Sequence, residues 1–261
     1  MKKTIISCVL FLTAVTAFSQ TPMKTAAEAK LSASDLAVKI ADRILATTTY
    51  EFKNTKTGKT YKSVKNLPLD MNVKVACKYN NWHYTNGVTH IALMELADKT
   101  GAKKYDDYVL KNMNFVFNEG NLDFFKKQYE QAMKNEGWYG VRKLSWHMIF
   151  RGKRLDDNGP MGASLIDLQM KHPNNSFLNY INETAEHLNY GEPRLADGTI
   201  ARIWPHENTI WADDAFMAIS FLARMAKMTG DMSYINDAAN QVIKYHKYLW
   251  CPEKRILYHC Y

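Results

Sequence analysis

The stretch Asp197-Gly-Thr-Ile-Ala-Arg-Ile-Trp-Pro-His-Glu-Asn-Thr-Ile-Trp-Ala-Asp-Asp-Ala-Phe-Met217 concentrates the side chains that could do chemistry. It holds two tryptophans, an arginine and a histidine. It ends on Asp213 and Asp214 where an apolar helix is expected to begin. Aromatic faces dock sugar rings, and a carboxylate in a partly apolar setting can act as an acid near neutral pH. The same aspartates also suit a plainer role, as caps of that helix.

A second double aspartate lies in Arg154-Leu-Asp-Asp-Asn-Gly-Pro-Met-Gly162. Alone it reads as a turn followed by a helix cap. A third element, Arg255-Ile-Leu-Tyr-His-Cys-Tyr261, places His259 46 residues after Asp213.

These motifs need elements to position them, and the pattern is helical nearly throughout. Apolar residues recur at helical spacing over 34–47, with Ser34 as a candidate cap, and over 84–98, 103–117, 122–134, 161–171, 176–190, 212–228 and 233–249. Residues 51–70, 135–158 and 193–209 read as loops, and long loops on a rigid scaffold are where function concentrates.

The helices repeat in pairs. Leu96-Ala-Asp-Lys-Thr-Gly-Ala-Lys-Lys-Tyr105 matches Met225-Ala-Lys-Met-Thr-Gly-Asp-Met-Ser-Tyr234, and a weaker copy runs from Leu168 through His172 to Phe177. Stacked helical hairpins mean a solenoid or a closed α/α toroid. Moving Asp213 back by the 57 residues between the second and third copies lands on Asp156, and moving it back by 129 lands on Tyr84. All three positions fall at the start of the first helix of a hairpin. In a toroid those starts share one rim.

Composition bounds the rest. Lys2 and Lys3, the apolar run to Phe18 and the small residues Ala17 and Ser19 predict a signal peptide over 1–19, hence an exported protein, periplasmic or extracellular. No other apolar run is long enough to span a bilayer. At 46% hydrophobic residues the remaining chain, 20–261, can bury a core, which excludes disorder. Cys77, Cys251 and Cys260 are too few and too scattered for a disulfide scaffold or a zinc site, though Cys251 and Cys260 could pair. The formal charge of +8 comes without a dense Lys/Arg block, which argues against nucleic acid and fits an anionic small substrate.

Leu155–Ala163, Trp204–Met217, Leu257-Tyr-His259 and, upstream, Trp82-His-Tyr-Thr-Asn-Gly87 resemble the unsaturated rhamnogalacturonyl hydrolases, glycoside hydrolase family 105. The resemblance implies an all-α (α/α)6 barrel of six helical hairpins. About four of the six are expected within 20–261, so the chain is expected to be C-terminally truncated. It implies removal of a 4,5-unsaturated galacturonyl unit from rhamnogalacturonan or pectin oligosaccharides by hydration of the double bond. A sister activity on another unsaturated uronide, or an inactive glycan-binding fragment, are the alternatives. The aspartate matching Asp213 would protonate C4 and then, as carboxylate, accept a proton from the water that adds at C5. The hemiketal so formed opens and releases the next sugar. The second acidic residue would be Asp156, favoured by the repeat, or Asp157, favoured by local alignment. His259 would line the site, with Trp211, His206, Arg202, Tyr84 and Trp82 as substrate contacts. No metal or organic cofactor is implied, and the implied partner is an anionic unsaturated oligosaccharide.

Overall fold

In the computed structural model the described residues are 32–152 and 154–261, so the expected signal peptide lies outside them. The described residues up to Asp42 and residues 43–261 fall in separate units. Ser32 and Asp35 cap the opening of helix α1 (Ala33–Thr47) reciprocally. The Asp35 amide donates to Ser32 Oγ at 3.1 Å, and the Ser32 amide donates to Asp35 Oδ2 at 3.2 Å. The cap is therefore Ser32, two residues before the expected Ser34.

After α1 the second unit carries a small antiparallel sheet in the order β2-β1-β3, made of β1 (Phe52–Asn54), β2 (Thr60–Tyr61) and β3 (Val73–Val75). Its first two strands fall in a segment that composition predicts to be loop. The turn between them closes because Asn54 Oδ1 accepts the amides of Lys56 and Thr57, and Gly58 takes a φ of 76°. Phe52 is fully buried and packs on Phe115, Phe124 and Phe125, which anchors the strand despite its polar neighbours.

The remainder is helical: α2 (Tyr84–Thr100), α3 (Lys104–Val116), α4 (Glu119–Val141), α5 (Met148–Arg151), α6 (Leu155–Lys171), α7 (Asn175–Glu186), α8 (Ala212–Thr229) and α9 (Met232–Leu249). The chain is all-α, as the hairpin repeat requires. Among the described residues eight helices have twelve residues or more, and three pairs of them form tight hairpins: α2/α3, α6/α7 and α8/α9. Gly101 and Gly230 end α2 and α8 in the left-handed conformation, at φ 71° and 75°. Those are the two glycines of the strong repeat.

The first helices of the hairpins lie side by side, with α6 between α2 and α8. Glycines set the spacing. A Cβ on Gly87 would come within 2.3 Å of the Pro160 carbonyl carbon, and one on Gly159 within 2.7 Å of the Met217 carbonyl oxygen. These crossings join the N-terminal halves of all three helices, so their starts gather at one end. An ion pair from Arg224 Nε to Asp167 Oδ2, 2.7 Å, ties α8 to α6 farther along.

Three helices depart from the expected bounds. The one expected over 122–134 spans Glu119–Val141 with a break at Gly137 (φ 59°, ψ −150°), so with α5 much of the expected loop 135–158 is helical. The expected helix over 161–171 begins at Leu155, six residues earlier, because Asn158-Gly159-Pro160 reads as a breaker. Tertiary burial overrides that local signal: every residue from Asp157 to Ile166 is buried. The expected helix over 176–190 is α-helical only to Glu186 and closes in a π-turn, His187–Gly191.

Candidate active site

Helices α6 and α8 start 57 residues apart, so their first turns are equivalent. Asp156 and Asp213 occupy the second position, and Asp157 and Asp214 the third. Consecutive helical residues are rotated by about 100°. The two carboxylates of each pair therefore point apart, one outward from the helix end and one into the protein.

The inward pair is clamped. Asp157 is 0% exposed, and Arg151 donates to both of its carboxylate oxygens. Asp214 is 2% exposed and accepts from Arg202 Nε at 2.5 Å and Nη2 at 2.7 Å. Burial raises the proton affinity of both, Asp214 to about 6, against the pull of the arginines. For Arg202, burial opposes the charge, but Asp214 outweighs it and holds the guanidinium protonated. Trp82, a resemblance-based contact, is fully buried; its Nε1 donates to the Asp157 carbonyl at 2.7 Å and its ring packs on Tyr180 at 4.8 Å. It supports the start of α6 from within and presents no face to a ligand.

The outward pair meets at one nitrogen. Arg202 Nη2 lies 3.8 Å from Asp156 Oδ1 and 3.6 Å from Asp213 Oδ2. The guanidinium also stacks on Trp211, 4.4 Å from its ring centroid. His259 Nε2 comes within 3.9 Å of Asp213 Oδ1, and its ring packs edge-on against Trp211 at 5.1 Å. Backbone pairing brings it there. The strands β4 (Trp250–Cys251) and β5 (Ile256–Leu257) turn the chain back after α9. Tyr261 then exchanges amide hydrogen bonds with Ile210, and the Ala212 amide donates to the His259 carbonyl at 2.8 Å.

The sequence-predicted residues thus divide. Asp156, Asp213, Arg202, Trp211 and His259 are brought together. Asp157 and Trp82 lie behind them, inside the protein. Tyr84 opens α2 with its ring against His83, 4.5 Å between centroids, and His206 is exposed; neither side chain has a recorded contact with the paired aspartates among the described residues. Cys77, Cys251 and Cys260 are free thiols, so the possible Cys251–Cys260 bridge is not formed.

A cleft of about 730 Å³ is lined by Asp156, Arg202 and Asp214; Asp213, Trp211 and His259 are not part of its lining and stand next to it through Arg202. Its lining adds Arg151, Arg154, His187 and Glu192, which sequence reasoning missed, and includes Trp204 and Asp214 of the opening motif, which it did not assign to the site. His187, in the π-turn, bonds Glu192 at 2.8 Å. His83, the N-cap of α2, lies in the field of Asp156 and Asp157; burial lowers its proton affinity and the aspartates partly restore it. No regular spacing links these residues. An arginine six or twelve residues before its aspartate sends no signal until the chain folds. Among the described residues no group of three or more His, Cys, Asp or Glu could hold a metal ion, and no helix is long and apolar enough to cross a membrane.

A sugar-sized cleft with two carboxylates around one guanidinium, flanked by indole rings, suits acid–base chemistry on an anionic carbohydrate. Residues 55–261 match the model of Glycosyl Hydrolase Family 88. No curated protein matches the chain. Among solved structures, a possible GH105 family member from Klebsiella pneumoniae is similar at a TM-score of 0.54 and 13% identity, covering 90% of this chain and 52% of that one. Another possible member of that family, from Salmonella enterica, gives 0.55 and 14%, covering 88% and 52%. A family 105 glycoside hydrolase from C. acetobutylicum gives 0.50 and 22%, covering 76% and 46%. These likenesses are of fold. The chain spans about half the length of the solved structures it matches.

Proposed function

The chain belongs to glycosyl hydrolase family 88, and on that premise we propose that its cleft serves the removal of a 4,5-unsaturated uronyl residue from the non-reducing end of oligosaccharides left by a polysaccharide lyase, with rhamnogalacturonan fragments as the substrate. The observation that carries this reading is the convergence of Asp156 and Asp213 on Arg202 Nη2, from equivalent helix starts, beside a sugar-sized cleft that Asp156 and Arg202 line.

In this reading Asp213 is the acid. It delivers a proton to C4 of the enol ether, and positive charge develops at C5 and the ring oxygen. Water adds at C5 while the Asp213 carboxylate takes its proton. The resulting hemiketal opens and expels the aglycone sugar. One group that gives and then accepts a proton is sufficient, so the carboxylate spacing that separates inverting from retaining glycosidases does not govern this site. Asp156 orients the water or a ring hydroxyl, His259 lies against Asp213, and the Trp211 ring lines the approach. The expected signal peptide adds the proposal that this chemistry takes place outside the cytoplasm.

The test follows the ultraviolet absorbance of the double bond during incubation with an unsaturated galacturonyl-rhamnose disaccharide. Wild-type protein consumes it, and Asp213→Asn slows consumption by about 10²–10⁴-fold, the usual yield of a general acid–base group. No consumption of this or any other unsaturated uronide by the wild type would sink the proposal. A unsaturated glucuronyl disaccharide turned over in preference would keep the chemistry and reassign the sugar, in keeping with the family 88 match.

A further inference from the structure

A uronate carries a carboxylate, and the cleft is lined by three arginines: Arg151, Arg154 and Arg202. Two are already committed. Arg151 is spent on Asp157 and Arg202 on Asp214, each through two hydrogen bonds to a buried carboxylate. The lining histidine is likewise paired, His187 with Glu192.

Arg154 is different. No carboxylate lies within ion-pair distance of it among the described residues, although the buried Asp157 feels its charge. It is exposed, one residue before the first turn of α6, and two residues from Asp156. Its guanidinium lies over the Trp204 ring, 5.0 Å from the centroid, and Trp204 is itself 60% exposed on the cleft wall. A guanidinium resting over an indole ring is held in place by it and keeps its in-plane N–H groups free for another partner. A fork held that way matches the two oxygens of a carboxylate.

We propose that Arg154, held by Trp204, reads the substrate's carboxylate and sets the cleft's demand for a free uronic acid. This rests on the reading that the cleft takes a uronide. It assigns the charge-recognition role to a residue outside both double aspartates, and it separates recognition (Arg154 and Trp204) from proton transfer (Asp213).

The test uses one unsaturated uronyl disaccharide and its methyl ester, which removes the charge Arg154 would meet. Because the ester also changes the electronics at C5, the comparison is read through KM and through the change the Arg154 variants make in it. Wild-type protein is expected to prefer the acid in KM by about 10–100-fold, the span of a charge-assisted hydrogen-bonded pair. Arg154→Gln should bring that ratio to near unity through KM, Arg154→Lys should retain part of it, and Trp204→Leu should fall between. A second arm requires no turnover: calorimetric binding of galacturonate against its methyl ester. If the wild type turns over neither disaccharide, the functional reading fails, and the binding arm alone decides the role of Arg154. Arg154→Gln that keeps the wild-type preference in either arm, or wild type that binds acid and ester alike, overturns the proposal. Equal melting temperatures for wild type and variants show that a lost preference is not lost fold.

Discussion

Asp157 and Asp214 hold the same place in successive hairpins, 57 residues apart, and each is buried against the two-pronged guanidinium of an arginine that precedes its helix, Arg151 at the end of α5 and Arg202 in the loop before α8. The equivalence gives the double aspartates of α6 and α8 a common inner role, to hold an arginine; Arg202 then also approaches the outer aspartates of both pairs, Asp213 and Asp156. At α8 the result is visible at a single atom, because Arg202 Nη2 serves Asp214 at 2.7 Å and still approaches Asp213 at 3.6 Å.

That arrangement predicts a pH-dependent penalty for losing Arg202. Asp214 has a folded-state proton affinity raised from 3.8 to about 6, so the stability its proton confers is full below 3.8 and is lost as the pH rises through about 6. Arg202→Met leaves the buried charge without a partner and should cost about 3–5 kcal/mol at pH 8. At pH 5 Asp214 can take a proton, and the cost should shrink. Adding Asp214→Leu should recover much of the loss at pH 8. Chemical denaturation at the two pH values measures this, and an equal penalty at both would contradict the assignment.

The crossings of α2, α6 and α8 predict an inverted response to alanine. In an exposed helix interior Gly→Ala stabilises by roughly 1 kcal/mol. At Gly87 and Gly159 the new Cβ would meet backbone of the neighbouring helix at 2.3 and 2.7 Å, so helices must separate. Each substitution should destabilise by about 1–3 kcal/mol or more. Activity should fall with it, since the same crossings gather the helix starts that carry Asp156 and Asp213. Thermal melts that rise for Gly87→Ala would refute the packing argument.

These glycines also explain what sequence could and could not disclose. The hairpin ends were legible because Gly101 and Gly230 are local devices, each closing a helix in its own last turn. Asp213 and His259 were legible because their types and spacing match a known pattern. The start of α6 was not, because Asn158-Gly159-Pro160 is chosen for the neighbours of the helix and not for the helix itself. The short strands around Phe52 are held by distant aromatic rings in the same way. The clamps from Arg151 and Arg202 onto the first turns of α6 and α8, and the contact of Arg154 with Trp204, join residues at irregular spacing, which no periodicity encodes.

His90 supplies an acid-sensitive point away from the cleft. It is 2% exposed in α2, both ring nitrogens lack a hydrogen-bond partner in the structure, and burial lowers its proton affinity to about 4. The folded protein therefore keeps His90 neutral where the unfolded chain protonates it. Stability is full above pH 6.5 and falls as the pH drops toward 4, by about 3 kcal/mol from this residue alone. His90→Leu should be neutral to stabilising at pH 7. Its advantage over wild type should grow as the pH is lowered through that window. Parallel denaturation curves at pH 7 and pH 5 give the comparison, and a constant difference would show that His90 does not titrate in this way.

The two members of the first double aspartate should separate function from fold. Asp156 faces the cleft and approaches Arg202 at 3.8 Å, with no clamp of its own. Asp156→Asn should leave the melting temperature within about 2 °C of wild type, as expected for substitutions away from the core. It should lower kcat on the unsaturated disaccharide by about 10²-fold or more, because the charge that orients the attacking water is gone. Asp157→Asn removes one buried acceptor from Arg151 and loosens the turn on which Asp156 stands. It should lower the melting temperature clearly, and the activity left per folded molecule should exceed that of Asp156→Asn. The reverse pattern, a stable Asp157 variant without activity beside an unstable Asp156 variant with it, would transfer the second acidic role to Asp157. In that case its carboxylate would have to leave Arg151 during the reaction.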